Sequence, residues 1–222
     1  QGEMYANALL EKAHAYHTTI TGLVCGLLMH AIHAEMSNLD QKKPVVLTVP
    51  VNLRNYFPSG SARNFFGIMN LHYRFCKREE PLEYILDSLN SQMREELTEE
   101  KLSERIHFTG WFERQYWARF SPLALKDIVL KQADRISKRE VTGAVSNLGK
   151  VLMPEPLCQY IRSFEVMNST NRVQVCLCSF QNRLVISFTS PFVKTDLHTH
   201  FFRALADMGI PVLIRANQPE EG

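Results

Sequence analysis

The sequence predicts a layered α/β domain, and three observations support this fold class. Apolar residues recur with helical spacing at the start of the chain, strand-like apolar runs dominate its last third, and helical and extended patterns alternate in between. The composition is that of a folded globular protein, with 45% hydrophobic and 22% charged residues. No internal repeat, low-complexity segment or strong linker divides the sequence, so we expect a single domain over residues 1–222.

Two helices are predicted at the start of the chain, from Ala6 to Tyr16 and from Thr19 to Met36. Either Thr18 or Thr19 can cap the second helix, because a threonine hydroxyl accepts a hydrogen bond from a free backbone N–H of the first turn. This second helix is apolar on nearly all sides. We therefore expect it to lie deep between other elements rather than on the surface.

Two core strands and three further helices are predicted in the middle of the chain. The strands run from Pro44 to Leu53 and from Phe65 to Phe75, where β-branched, apolar and aromatic residues predominate. The loop between them is rich in proline, serine and glycine. One helix opens at Pro81, a second covers Lys101 to Phe120, and a third covers Leu123 to Ser137.

The last third of the chain turns mainly to strands. Gln181 and Asn182 are suited to a hairpin turn between two of them. One more helix, from Asp196 to Met208, precedes the last strand, and Gly209 is suited to end it. The predicted strands are Val141 to Asn147, Tyr160 to Val166, Val173 to Phe180, Leu184 to Thr189 and Ile210 to Ile214.

Charge, cysteine content and hydropathy argue against a nucleic-acid-binding surface, a disulfide framework and a membrane span. The net charge is +2, and the basic residues are scattered among acidic ones, which argues against a nucleic-acid surface. Five cysteines at irregular spacing do not form a disulfide framework, which favours a reducing compartment. The longest apolar run, Ile20 to Ile32, is shorter than the roughly 20 residues that a membrane span needs. We expect a cytoplasmic protein that binds neither nucleic acid nor membrane.

Two close pairs of possible metal ligands occur late in the chain, Cys176 with Cys178 and His198 with His200. The two cysteines share one face of a predicted strand. The histidines fall on a predicted helix, where residues i and i+2 point about 200° apart. Because zinc needs a converging set of ligands, we expect no metal site and interpret the cysteines as buried thiols.

No local motif for nucleophilic catalysis or phosphate binding occurs, since the sequence contains no GxSxG, GxxxxGK or GxGxxG pattern. Several histidines could in principle activate a serine or a cysteine. Those on the apolar helix are better interpreted as core or boundary residues. The available histidines are His14, His17, His30, His33, His72 and His107.

The tetrapeptide Ser146-Asn147-Leu148-Gly149 ends a predicted strand. A polar pair at this position can aim a hydroxyl and an amide into a cleft, and a glycine allows the backbone to turn there. The simpler interpretation of these four residues alone is an ordinary strand exit with turn residues. Both interpretations remain open at this point.

From about Leu9 to Asn217 the sequence resembles the C-terminal half of the chloramphenicol-acetyltransferase-like superfamily, which includes condensation domains and alcohol and wax ester acyltransferases. The resemblance is nearest to alcohol-acetyltransferase-like proteins of bacteria. It implies a two-layer sandwich in which helices pack on a mixed β-sheet. Short motifs in a fixed order carry it: Thr18 to Thr21, VPVNLR from Val49 to Arg54, NFFG from Asn64 to Gly67, Thr142 to Gly149, Ser187 to Thr189, and Phe201 to Leu205 before Gly209-Ile210.

The resemblance implies a function in which an acyl group passes from a thioester, on coenzyme A or on a carrier protein's phosphopantetheine, to an alcohol or amine. In such proteins two related halves enclose a tunnel, and the first half carries the HHxxxDG histidine that deprotonates the small-molecule acceptor. Carried over residue by residue, Ser146, Asn147 and Gly149 would border the tunnel. Asn52, Arg54, Asn64 and Gly67 would hold the two middle strands and their loop, with the arginine buried among several acceptors.

The sequence departs from the superfamily pattern in its catalytic base. None of its eight histidines is followed by aspartate four residues later. We therefore expect the second half only, with no catalytic residue and no bound cofactor of its own, inactive without an upstream half that carries the histidine. The face that this half would cover could then self-associate. The alternative is a non-catalytic module on the same scaffold that docks an acyl carrier protein or another partner.

Overall fold

The computed structural model describes residues 1–37, 40–61, 64–77, 80–114 and 141–216. The predicted helix from Leu123 to Ser137 and the end of the one from Lys101 to Phe120 lie outside these residues. The helices are α1 (Ala6–Ala15), α2 (Ile20–Glu35), α3 (Leu82–Glu96), α4 (Glu99–Arg114), α5 (Glu155–Cys158) and α6 (Asp196–Asp207). The strands are β1 (Gly2–Tyr5), β2 (Val45–Asn52), β3 (Phe66–Tyr73), β4 (Gly143–Val151), β5 (Val173–Phe180), β6 (Arg183–Thr189) and β7 (Leu213–Ile214).

The strands form one mixed sheet in the order β3-β2-β4-β5-β6-β1-β7. Strands β2, β4 and β5 run parallel to one another, whereas β3 and β6 are antiparallel to their inner neighbours. The carboxyl ends of β2, β4 and β5 therefore lie at the same end of the sheet, viewed along the strands. The carboxyl end of β6 lies at the opposite end.

Helices α1, α2, α3 and α6 pack against one face of this sheet and bury a large hydrophobic core against it. Helix α2 lies at its centre, as the apolar pattern predicts, and contacts both α3 and α6. Gly26 permits this close packing, because a Cβ at its position would lie 2.6 Å from Leu86 Cδ2 on α3. The predicted two-layer arrangement of helices on a mixed sheet is confirmed.

Local signals at the ends of elements are also confirmed. Thr19 caps α2, since its Oγ1 accepts a hydrogen bond from Gly22 N at 3.0 Å. Gln181, at φ +52°, begins the turn between β5 and β6. Gly209, at φ +79°, follows the end of α6 in a left-handed conformation that a glycine adopts without strain.

Two strand predictions need correction, and one observed strand is not predicted. The segment from Tyr160 to Val166 is irregular rather than a strand. Both sides of β5 are already paired with β4 and β6, so this apolar segment packs on β5 instead, where Phe164 meets Phe180 edge to face. The last strand shortens to Leu213–Ile214, because Pro211 has no N–H to donate. Strand β1 is absent from the sequence prediction, since four residues are too few to show alternation.

Among the residues that the structure describes, no single helix is long and apolar enough to cross a membrane. Helices α1 and α2 pass this test only as a pair, by length and composition, with a bend of 79° between them.

Candidate functional site

A cleft of about 780 Å³, here called the first cleft, opens at the end of the sheet that carries the carboxyl-terminal parts of β2 and β4. The start of α2 and one side of α3 form its other walls. In open α/β sheets, ligands bind in the crevice outside the carboxyl ends of parallel strands. Its polar lining includes Thr19, Thr21, Asn52, Asn90, Arg94 and Asn147.

Strand β4 carries a bulge where it borders the first cleft. Asn147 is opposite Leu177, but Lys150 is opposite Ser179, so β4 has one more residue than β5 in this interval. Gly149 lies in the bulge at φ +75°, a conformation that other residues adopt only with strain. The bulge leaves Leu148 53% exposed at the cleft, so β4 presents both an amide and an apolar side chain there.

The Asn147 side chain connects this bulge to the start of α2. Its Nδ2 donates to Thr21 Oγ1 at 2.9 Å, and its Oδ1 accepts a hydrogen bond from Gly149 N at 2.8 Å. The second amide hydrogen of Asn147 makes no hydrogen bond to the part of the chain that the structure describes. The carboxamide is therefore fixed in orientation and still has one free donor.

The turn between α1 and α2 is tied to α3 in the same wall of the cleft. Thr18 Oγ1 donates to Asn90 Oδ1 at 2.7 Å, and Asn90 Nδ2 donates to the His17 carbonyl oxygen at 3.2 Å. Gly22 leaves room for this arrangement, because a Cβ there would lie 2.3 Å from Thr18 Oγ1. These bonds hold the start of α2 in place before any ligand binds.

The structure separates two residues that the sequence analysis grouped. Side chains alternate between the faces of a strand, so Asn147 points to the helical side with Val145, whereas Ser146 points to the other side, opposite Cys176 of β5. Ser146 does not line the first cleft. The expectation that both side chains enter one cleft is wrong, because β4 keeps its alternation up to the bulge.

The four residues expected to hold β2 and β3 occupy different positions. Asn52 lies at the cleft, and its Oδ1 accepts a hydrogen bond from Arg54 N at 3.1 Å. Arg54 is exposed rather than buried, although its Nη2 donates to the Ser61 carbonyl oxygen at 2.8 Å across the loop. Asn64 is exposed before β3, and Gly67 pairs with Val51. The guanidinium is exposed because the loop lies outside the core.

The cysteines are free thiols. Burial raises the pKa of Cys25 to about 12, and burial also raises the pKa values of Cys176 and Cys178. These thiols therefore remain protonated at neutral pH and are poor nucleophiles. No group of three or more possible metal ligands converges within the described ranges.

One histidine of the sequence analysis lies at the first cleft. His17 borders it, in a left-handed conformation at φ +51°, with an exposed side chain. Its imidazole makes no hydrogen bond to a described residue, so nothing there fixes its tautomer. The sequence could not single it out, because the turn that brings His17 to the cleft depends on contacts with α3, far along the chain.

Neither a family model nor a curated protein matches the sequence at a significant level. Several solved structures do match. The first condensation domain of the calcium-dependent antibiotic synthetase is 14% identical with a TM-score of 0.53, covering 96% of this chain and 46% of that chain. The epimerization domain from the third module of tyrocidine synthetase B is 14% identical with a TM-score of 0.55, covering 94% of this chain and 47% of that chain.

A third match is trichothecene 15-O-acetyltransferase from Fusarium sporotrichioides, which is 10% identical with a TM-score of 0.52, covering 94% of this chain and 46% of that chain. The chain spans less than half the length of these solved structures. At identities this low, the structural match establishes the fold but not the activity. The chain thus has the fold of the chloramphenicol-acetyltransferase-like acyltransferases and condensation domains, as its motifs predicted.

Proposed function

We propose that this chain is the second half of a bilobal acyltransferase and that the first cleft forms part of its substrate tunnel. The protein would move an acyl group from a thioester, on coenzyme A or on a carrier protein, to an alcohol or amine. The observation that carries the proposal is the fixed carboxamide of Asn147 at the first cleft, in a fold whose solved examples include acyl-transferring enzymes.

The residues of the cleft suit one part of this reaction. When the acceptor attacks the thioester carbonyl, negative charge develops on the carbonyl oxygen, and the carbon–sulfur bond then breaks to release a thiol. The free amide hydrogen of Asn147 can donate to that oxygen without reorganising, since its other bonds already fix the side chain. Leu148 would contact the apolar part of the acyl group.

The general base would come from the other half. This chain has no HxxxD motif, and the imidazole of His17 makes no hydrogen bond to any residue within the described ranges. A second half would also cover apolar side chains of β3 that point away from the helices, because Phe66 is 52% exposed and Ile68 is 54% exposed. The five free thiols favour a reducing compartment such as the cytoplasm.

The test compares the 222-residue chain with a protein extended by an upstream half that carries HHxxxD. Both are incubated with acetyl-coenzyme A and longer acyl-coenzyme A and acyl-pantetheine thioesters, together with alcohol and amine acceptors. Thiol release is measured. We expect acceptor-dependent release from the extended protein only. In the extended protein, Asn147→Ala should lower kcat by about 100-fold, as loss of one oxyanion donor does.

Ser146→Ala is the matched control, because Ser146 points to the opposite face of β4, and its kcat should stay close to that of the parent protein. A larger decrease in kcat in Ser146→Ala than in Asn147→Ala would place the reaction outside the first cleft. Thiol release by the 222-residue chain alone, abolished by His17→Ala, would overturn the need for a second half. If the extended protein binds a carrier protein but releases no thiol, the function is that of a non-catalytic docking module rather than an acyltransferase.

A further inference from the structure

A second cleft, of about 720 Å³, lies between β6, α6 and the segment after β7. Its size falls within the range of about 300–1,000 Å³ that is typical of small-molecule sites. Phe188 forms its floor and meets His198 and Phe202 edge to face, with ring centroids 5.0 and 5.4 Å apart. The rim is apolar as well, because Met167, Phe192 and Ile214 are more than half exposed.

The second cleft is separate from the first. The two share no lining residue. Strand β6 runs antiparallel to β5, and β4 runs parallel to β5. Phe188, near the carboxyl end of β6, therefore lies at the end of the sheet opposite to the carboxyl end of β4. A ligand in the second cleft would therefore not occupy the site proposed for acyl transfer.

The polar residues of the second cleft give it a positive charge. Arg203 and Arg215 line it, and no aspartate or glutamate does so among the described residues. Arg215 is partly neutralised, with its Nη2 3.3 Å from Glu3 Oε2 and its Nη1 3.8 Å from Glu165 Oε1. The guanidinium of Arg203 makes no hydrogen bond or ion pair with any described residue.

Burial lowers the pKa of His198 below its ordinary value, which favours the uncharged imidazole at neutral pH. Its imidazole is therefore a half-buried, uncharged part of the aromatic floor. The attraction for a charged ligand would come from the two arginines at the margin of an apolar cleft.

We propose that the second cleft binds a monocarboxylate with an apolar chain, such as a medium-chain fatty acid. The chain would lie on the aromatic floor formed by Phe188 and Phe202, and the carboxylate would pair with Arg203. A carboxylate complements a guanidinium in geometry as well as in charge, which favours it over an uncharged head group.

The probe is octanoate, titrated into the 222-residue chain by isothermal titration calorimetry. Two control ligands test the contributions of the apolar chain and of the charge separately: acetate has the same head group without the chain, and octyltrimethylammonium has a chain of similar length with the opposite charge. We expect saturable binding of octanoate and at least tenfold weaker binding of both others. Arg203→Gln should weaken octanoate binding by about tenfold, as expected for loss of one charge-assisted pair.

Two further variants locate the binding. Ala206→Trp places an indole in the second cleft from the exposed side of α6, so octanoate binding should be lost while the circular dichroism spectrum and Tm are retained. Arg94→Gln makes the same charge change in the first cleft and should leave binding unchanged. Absence of octanoate binding, equal binding of octyltrimethylammonium, or a weaker Kd in Arg94→Gln but not in Arg203→Gln would overturn the proposal. These outcomes do not depend on acyl transfer.

Discussion

At the residue scale, one carboxamide joins two elements that are distant in sequence. Asn147 on β4 donates to Thr21 on α2, and its oxygen receives the Gly149 N–H within the bulge. Ala at position 147 would leave both partners without their bond, whereas Val at position 21 would remove only the acceptor on α2. The structure thus predicts energetic coupling between the two side chains.

A double-mutant cycle measures this coupling. Asn147→Ala should lower the free energy of unfolding by about 1–2 kcal/mol, since it removes two hydrogen bonds. Thr21→Val should cost about 1 kcal/mol, and the double variant should cost less than the sum of the two. Urea unfolding followed by circular dichroism provides the values. Strictly additive costs would show that the 2.9 Å contact contributes nothing in solution.

Glu80 predicts a dependence of stability on pH. Burial raises the pKa of its carboxyl, but hydrogen bonds from Tyr73, Cys76 N and Lys77 N together outweigh this and lower the pKa below 4.5. Burial and the same carboxylate raise the pKa of Tyr73 to about 12. The pKa of Glu80 is lower in the folded state than in the unfolded state. The ionised carboxylate of Glu80 therefore stabilises the fold above pH 4.5, and this stabilisation is lost as pH falls through the folded-state pKa.

Glu80→Gln should therefore destabilise the protein by about 1 kcal/mol at pH 7, and the difference from the parent chain should shrink as pH falls through the lowered pKa of Glu80. Unfolding midpoints in urea, measured across this pH range, provide the test. Glu83→Gln is the control, because Glu83 is an exposed carboxylate at the start of α3. Equal pH dependence of the Glu80→Gln variant and the parent chain would contradict the assignment.

At the element scale, β4 requires a residue without a side chain where it meets its parallel neighbour. A Cβ at Gly143 would lie 2.9 Å from the carbonyl oxygen of Val173 on β5 and 3.3 Å from Leu47 Cδ2 on β2. The first of these contacts is with backbone, which cannot move without disturbing the pairing of β4 and β5. Gly143 therefore sets the spacing of the central strands.

Gly143→Ala should lower the free energy of unfolding by about 1–3 kcal/mol, as overpacking in a core does. Gly60→Ala is the matched control, because a Cβ at Gly60 meets nothing within 4 Å. It should be neutral or slightly stabilising, since alanine restricts the unfolded chain. Thermal unfolding compares the two variants, and a loss in Gly60→Ala as large as in Gly143→Ala would contradict this account.

The sequence predicted the long elements because their periodicity reflects burial on the helical side of the sheet. The apolar α2 and the strands β2, β3, β5 and β6 follow from this pattern alone. The segment from Tyr160 to Val166 has the same apolar character, but its place in the sheet depends on which strand edges are free. The separation of Ser146 from Asn147 was implicit in strand alternation. The second cleft was not predictable, since it combines residues from three elements.

At the scale of the whole molecule, the main core lies between the helices and one face of the sheet, while Phe66 and Ile68 on the other face of β3 are about half exposed. If a second half normally covers them, the 222-residue chain should associate with itself through this surface. We expect its mass in light scattering to rise with protein concentration. Ile68→Lys should reduce the rise, whereas Tyr84→Lys, which changes an exposed aromatic residue on α3, should not. A constant monomer mass would exclude self-association.

The core between the helices and the sheet also has a consequence for biosynthesis. A polypeptide whose apolar core closes against its own helices can reach its native conformation without a partner, so that association with the proposed second half would follow the folding of this chain rather than guide it. Under that proposal, substitutions of Phe66 or Ile68 would alter the affinity for the second half while leaving the folding of this chain intact.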